Sequence, residues 1–136
     1  MFCLDSRLKN DTINIGKLQL SQVLLMNDLR YPWIILVPEL DNVYEWTDLC
    51  KEDQGTLHDE SLLIQNALKD LYGGQSLNIG KLGNIVSQFH LHHIVRFEND
   101  PAWPGPVWGH SSPVNYSPQE LESRISEIKQ VLKYEQ

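Results

Sequence analysis

Residues 88–96, Gln88-Phe89-His90-Leu91-His92-His93-Ile94-Val95-Arg96, constrain this chain more than any other stretch. Polar and apolar residues alternate there, and a period of two is the pattern of a strand whose side chains point to opposite faces in turn. Gln88, His90, His92, Ile94 and Arg96 fall on one face. Phe89, Leu91 and Val95 fall on the other, toward a core, and His93 goes with them. Next-but-one neighbours stand roughly 7 Å apart along a strand, so an amide, two imidazoles and a guanidinium form one row. A row of that composition can hold a phosphate and can also attack it.

A strand needs a sheet, and the flanking sequence supplies one. Thr12–Leu18 and Leu20–Met26 read as two strands joined near Gly16 or Lys17, the second ending at the turn signal Asn27-Asp28. Pro32 opens a third strand, Trp33–Val37, closed by Pro38. Its unbroken apolar run predicts cover on both faces. Leu57, Ser61, Ile64, Leu68 and Leu71 make one helical stripe, stopped by Gly73-Gly74. Leu77–Gly80 and Phe89–Arg96 are the fourth and fifth strands, separated by the turn-prone Gly83-Asn84. Asp100–Gly109 holds three prolines and two glycines, which bar regular structure. Trp103 and Trp108 in that loop need cover; packing of the tail is the expected use, and walling of a site is the alternative. Ser117-Pro118-Gln119-Glu120 is a capping box with proline at the first helical position, followed by the stripe Leu121, Ile125, Ile128 and Leu132.

These elements predict an α+β fold: a five-stranded antiparallel sheet with one main helix packed on it and a C-terminal helix. One domain is expected over residues 1–136, with a core of about 12–100, a Trp/Pro-rich loop over 100–116 and a final helix over about 118–134. Hydrophobic content of 41% and charged content of 21% fit a globular chain rather than a disordered one. The formal net charge of -7 argues against general nucleic-acid binding and leaves room for one nucleotide in a local pocket. Cys3 and Cys50 are too few and too isolated for a disulfide framework or a zinc site; buried or free thiols are expected. No N-terminal run has signal length and no stretch reaches the ~20 apolar residues of a membrane span, so a cytoplasmic protein with no membrane partner is expected.

From Asn78 to Arg96 the chain reads Asn-x-Gly-x-x-Gly-Asn-x-Val-x-Gln-Phe-His-Leu-His-His-Ile-Val-Arg. This resembles the histidine triad (HIT) family of nucleotide hydrolases and transferases, which carries Asn-x-Gly-x-x-Gly-Gln-(Ser/Thr)-Val-x-His-φ-His-φ-His-φ-φ, where φ is apolar. Pro32–Pro38 is similar to the family's strand Pro-x-His-φ-Leu-Val-φ-Pro. The resemblance spans about residues 12–100 and implies a HIT-like fold, a nucleotide or nucleotide conjugate as partner, and a homodimer across a two-fold axis. It implies that His90 is the nucleophile on an α-phosphate, through a nucleotidyl-histidine that water then cleaves. It implies that His92 lies near the leaving group and, as an imidazolium, neutralises phosphate charge or delivers a proton.

Departures from the family fall at functional positions. Gln88 replaces the first triad histidine and supports its neighbours or a phosphate oxygen without titrating. Trp33 replaces an upstream histidine, and Asn84-Ile85 replaces the Gln-Ser or Gln-Thr pair. Asn78 and Asn84 would offer amide donors to phosphate, Gly80 and Gly83 would let the backbone come close, and Asn27 stands where the family holds ribose hydroxyls. Plain structural uses compete: turn residues at the Asn-Gly pairs, a core Trp33, a satisfied core or interface His93, and a solvated edge charge at Arg96. The last three are the expected uses.

Two functional classes follow. One is a nucleotide hydrolase or phosphoramidase working through His90, with no cofactor. The other is a nucleotide sensor that keeps the fold and has lost the chemistry, a reading favoured by Gln88, Trp33 and Ile85. A metal held by His90, His92 and His93 is not expected, because 92 and 93 point to opposite faces and no Asp or Glu lies in the row.

Overall fold

The computed structural model describes residues 1–132. The five strands are β1 (Thr12–Lys17), β2 (Ser21–Met26), β3 (Trp33–Pro38), β4 (Ser76–Lys81) and β5 (Leu91–Arg96). They form one sheet in the order β1-β2-β3-β5-β4, with every neighbouring pair antiparallel. The α+β architecture expected from the sequence is therefore the one observed. β5 begins at Leu91 rather than Phe89, because the Phe89 N–H donates to the Val43 carbonyl, outside the sheet, at 2.9 Å.

Among the described residues three α-helices accompany the sheet. The main one, α2 (Lys51–Tyr72), begins well before Leu57 and ends at Gly73, whose φ of 66° belongs to the left-handed region that glycine adopts without strain. The C-terminal α3 is described as Pro118–Leu132; residues 133–134 of the expected helix lie outside the described residues. The short α1 (Ser6–Asp11) was not foreseen. Six residues are too few to show a periodic stripe, and its one sequence signal is the cap, where the Asp5 carboxylate accepts from the Arg7 N–H at 2.8 Å.

The sheet is the middle of three layers. On one side Val23, Leu25, Ile34, Leu36, Leu91 and Val95 pack against Leu57, Ile64 and Leu68 of α2 and Ile128 and Leu132 of α3. On the other side Leu24, Trp33, Ile35, Val37 and Ile94 meet Leu8 of α1, Tyr31, and Ala102 and Val107 of the proline-rich loop, with Phe2, Leu4, Met26, Val86 and Trp108 partly buried around them. Cover from both sides explains why every residue of β3 is buried. The second cover is thin, and the cleft described below opens through it.

The loop is held by a buried ion pair at the end of β5. Arg96 is 1% exposed, which overturns its expected role as a solvated edge charge. Its Nε and Nη2 donate to the two Asp100 oxygens at 2.9 and 3.0 Å, and its Nη1 donates to Asn78 Oδ1 at 2.7 Å. Asp100 also accepts from the backbone N–H groups of Phe97, Ala102 and Trp103. A residue flanked by apolar neighbours in sequence thus becomes a buried charge with a bidentate partner. Cys3 and Cys50 are free thiols and both are exposed. Among the described residues no helix is long and apolar enough to cross a membrane.

Candidate functional site

A cleft of about 440 Å³ opens on the thinly covered side of the sheet, within the usual range for small-ligand sites of roughly 300–1,000 Å³. His90 and His92 line it from the sheet, beside Trp33 and Ile35 of β3. Arg7 and Leu8 of α1 contribute to one wall, Gly83 and Asn84 to another, and Trp108 to a third. The proline-rich loop therefore walls the cleft of its own chain. Gly80 permits this: a Cβ there would stand 3.2 Å from the Trp108 ring, tighter than side chains normally pack.

His90 has one ring nitrogen held by the protein and the other free. Its Nδ1 lies 2.8 Å from the Gln88 carbonyl oxygen. A carbonyl only accepts, so Nδ1 carries the proton and the Nε2 lone pair is free. Nε2 has no hydrogen-bond partner among the described residues. Burial lowers the His90 pKa below the ordinary imidazole value, against the opposing pull of the Gln88 carbonyl and Asp5. At neutral pH the ring is uncharged.

His92 lies with its ring centroid 4.9 Å from that of His90. The Trp33 Nε1–H donates to His92 Nδ1 at 3.0 Å, a contact that links diagonal positions on paired strands. The Trp33 and Trp108 rings lie 5.7 and 5.5 Å from it. Burial, and then the neighbouring His90 and His93, push its pKa down to about 3. The expected imidazolium is therefore corrected: in the free protein His92 is neutral, and its available donor is Nε2–H. Trp33 is both a core residue and a direct partner of the site.

His93 points into the opposite layer. Its Nε2 lies 2.9 Å from Ser61 Oγ and its Nδ1 3.2 Å from the Ile34 carbonyl oxygen. Both nitrogens are engaged, as for a satisfied core histidine. Among the described residues no group of three or more His, Cys, Asp or Glu side chains converges as a metal site would require.

The other sequence candidates divide. Gln88 turns its amide away from the cleft: Oε1 accepts from the Asp5 N–H at 2.8 Å and Nε2 donates to the Cys3 carbonyl at 2.9 Å. Only its main-chain carbonyl serves the site. Asn78 is committed to Arg96, and Asn27 Oδ1 accepts from the Tyr116 N–H at 3.0 Å; neither lines the cleft. Asn84 and Gly83 do line it, on the loop before β5, where Gly83 has a φ of 84°. The row read as five residues on one face is thus reduced at the cleft to His90 and His92.

Sequence reasoning missed four charged residues of the cleft, of which Asp11 is exposed. Asp28, beside the candidate Asn27, is 1% exposed, and its carboxylate receives Arg30 Nε and Nη2, each at 3.0 Å. Arg30 Nη1 continues to Ser111 Oγ at 2.7 Å. Arg7 joins them at the cleft from α1. The turn signal at Asn27-Asp28 could have brought Asp28 and Arg30 into view; Arg7 had only the cap of α1 to mark it. An imidazole with a free Nε2 lone pair, a neutral N–H donor beside it, aromatic walls and the Arg7 guanidinium together suit a phosphate group attached to a flat or apolar moiety.

Residues 7–99 match the family model described as the HIT domain. The chain is similar to a histidine triad protein from Marinobacter aquaeolei VT8, with 44% identity, cover of 98% of this chain and 97% of that one, and a TM-score of 0.95. It is similar to a histidine triad (HIT) protein from Sinorhizobium meliloti 1021, with 45% identity, 96% cover of each chain and a TM-score of 0.93. A hypothetical histidine triad nucleotide-binding protein from Sulfolobus tokodaii strain7 is 14% identical over 90% of this chain and 84% of that one, with a TM-score of 0.67, a likeness of fold alone. No curated protein matches the chain.

Proposed function

The chain belongs to the HIT domain family, and on that footing we propose that it is a nucleotide-binding hydrolase or transferase. It acts on the α-phosphate of a nucleoside phosphate or phosphoramidate through a nucleotidyl-histidine at His90. The observation that carries this reading is the hydrogen bond from His90 Nδ1 to the Gln88 carbonyl, with Nε2 unpartnered in a ligand-sized cleft. That bond fixes the tautomer whose free nitrogen can attack. Rate enhancement comes from holding the α-phosphate against Nε2 and from N–H donors aimed at its oxygens. His92 Nε2–H and Asn84 are the donors at hand, with Arg7 supplying positive charge.

A second reading, a nucleotide sensor without chemistry, is favoured by a specific observation. The amides of Gln88, Asn78 and Asn27 lie outside the cleft: that of Gln88 is bonded to the backbone at Asp5 and Cys3, and the oxygens of Asn78 and Asn27 accept from Arg96 and from the Tyr116 N–H. Fewer donors are left for a transition state than the family pattern implies. The test is turnover of an adenosine phosphate anhydride and of an adenosine phosphoramidate by wild type and by His90→Ala, with the fold of each checked by circular dichroism. Loss of turnover in a folded variant supports the enzyme. Nucleotide-induced thermal stabilisation of the wild type without hydrolysis supports the sensor.

Pairing of two copies is part of the proposal. Ile79 of the edge strand β4 and Leu62 and Leu63 of α2 are exposed, and a two-fold assembly would cover such residues. Sedimentation that gives twice the mass of 15.7 kDa supports it. Two free, exposed thiols favour a reducing compartment, so the cytoplasm is the proposed location.

A further inference from the structure

The following rests on the reaction proposed at His90 and narrows its substrates. Trp33 Nε1 donates to His92 Nδ1 at 3.0 Å, and both side chains are buried. An indole N–H is a donor only. Nδ1 must therefore present its lone pair, and the single proton of the neutral ring lies on Nε2. Protonating Nδ1 would set N–H against N–H in a dry contact and leave a buried cation without a partner. The surrounding charges do not offset this. The titratable neighbours of the ring are His90 and His93, both bases. Of the carboxylates lining the cleft, Asp28 is bonded to Arg30 and Asp11 is exposed.

We propose that Trp33 is a positioning residue that locks His92 as the neutral Nε2–H tautomer, so that the site takes substrates whose leaving group departs as a stable anion. That class is the mixed anhydride of a nucleoside monophosphate with a carboxylate or a second phosphate. A neutral imidazole N–H can hydrogen-bond a departing oxygen but does not surrender its proton to it. An aliphatic amine must take up a proton as its P–N bond breaks; a carboxylate or phosphate need not.

The steps balance without an external acid. The His90 Nε2 lone pair forms the N–P bond, and the P–O bond to the leaving group breaks. The electron pair of that bond leaves on oxygen, stabilised by the His92 Nε2–H. Water then attacks the same phosphorus, the N–P electron pair returns to His90 Nε2, and the proton of the water passes to solvent.

The first arm of the test is ¹⁵N NMR of histidine-labelled free protein from about pH 5 to 8, the range in which an ordinary imidazole changes charge. His92 should show an unprotonated Nδ1 and a protonated Nε2 throughout. A protonated Nδ1, or an imidazolium forming in that range, overturns the lock. The second arm is a series of adenosine 5′-aryl phosphates whose phenols are graded in acidity. A positioned general acid contributes about 10²–10⁴-fold and would flatten the series. In its absence kcat/KM should fall by at least about 100-fold from the most to the least acidic phenol. A flat series with label on His90 overturns the substrate class.

Trp33→Phe keeps a ring and removes the donor. It should mix the His92 tautomers and flatten the series; if both readouts stay unchanged, Trp33 is not the lock. Should that variant fail to fold, the two wild-type arms still decide. Absence of label on His90 with every probe would overturn the proposed reaction, and the substrate class with it, whatever the tautomer. The NMR arm separates that outcome from failure of the lock.

Discussion

The two ends of β5 carry polar groups that look interchangeable in sequence and behave oppositely in the fold. At its end Arg96 is buried with Nε, Nη1 and Nη2 all bonded, two to Asp100 and one to Asn78. At its start His90 and His92 each have one nitrogen fixed by the protein, through Gln88 and Trp33, and the other toward the cleft. A buried polar group with every valence satisfied stabilises the fold and has nothing left for a ligand. One fixed on a single side is oriented and still available. His93 makes the same point within one residue of His92, since both of its nitrogens are engaged in the helix-side layer.

Substitutions at the two ends should therefore separate activity from stability. The largest expected effect is on turnover. His90→Ala should reduce it by more than about 10³-fold, as loss of a covalent nucleophile does, while the melting temperature changes little. A comparable loss of stability would mean that His90 is structural like His93. Next, Arg96→Ala should destabilise by about 3–5 kcal/mol, because Asp100 is left as an unpaired buried charge. Urea unfolding checks this, and a cost near that of a surface substitution would break the contrast.

The two asparagines sharpen it further. Asn78→Ala removes an acceptor from Arg96 and should cost about 1.5–3 kcal/mol with KM unchanged. Asn84→Ala should raise KM and leave stability within about 0.5 kcal/mol. A reversed pattern would move the phosphate site to Asn78.

Acid should weaken the fold through buried histidines. His93 is pushed down to about 4, by burial against the opposing Ile34 and Leu91 carbonyls, and His92 down to about 3 by burial. Above the ordinary imidazole value of about 6.5 both are neutral in the folded and unfolded chain, and stability is full. Below it the unfolded chain binds protons that the folded chain refuses, so stability falls with pH through the window from about 6.5 to about 4 for His93 and on to about 3 for His92. Thermal melts across that range should show the decline. His93→Gln should make it shallower, and an unchanged slope would assign the decline to other groups.

Smallest is Gln88→Ala. Its amide ties the N-terminal segment through Asp5 and Cys3, so about 1 kcal/mol should be lost. Amide exchange should rise in residues ahead of α1, while the main-chain bond to His90 persists.

How much of this was legible follows from the range of each interaction. Period-two alternation placed His92 and His93 on opposite faces, and the apolar run of β3 announced cover on both sides; both are local patterns. The HIT-like resemblance identified the strand and helix order. Arg96 was misread because its burial depends on Asp100, outside the strand, and on Asn78 across it. Asn27 looked free because its partner, Tyr116, is 89 residues away. Gln88 left the row because the partners of its amide, the Asp5 N–H and the Cys3 carbonyl, are 83 and 85 residues away in sequence. The charge state of His92 was misjudged for a related reason. Three rings from three separate segments, Trp33, His90 and Trp108, surround it, and no spacing in one segment reveals that.

The most direct test of the account is the site of covalent labelling. Wild type and His90→Ala are incubated side by side, in single turnover, with an α-³²P-labelled adenosine phosphate anhydride, then quenched in alkali and digested. The account predicts an acid-labile label on the peptide containing residues 88–96, assigned to His90 by mass spectrometry and absent from the variant. Label on His92, or product formed by His90→Ala at the wild-type rate, would contradict it.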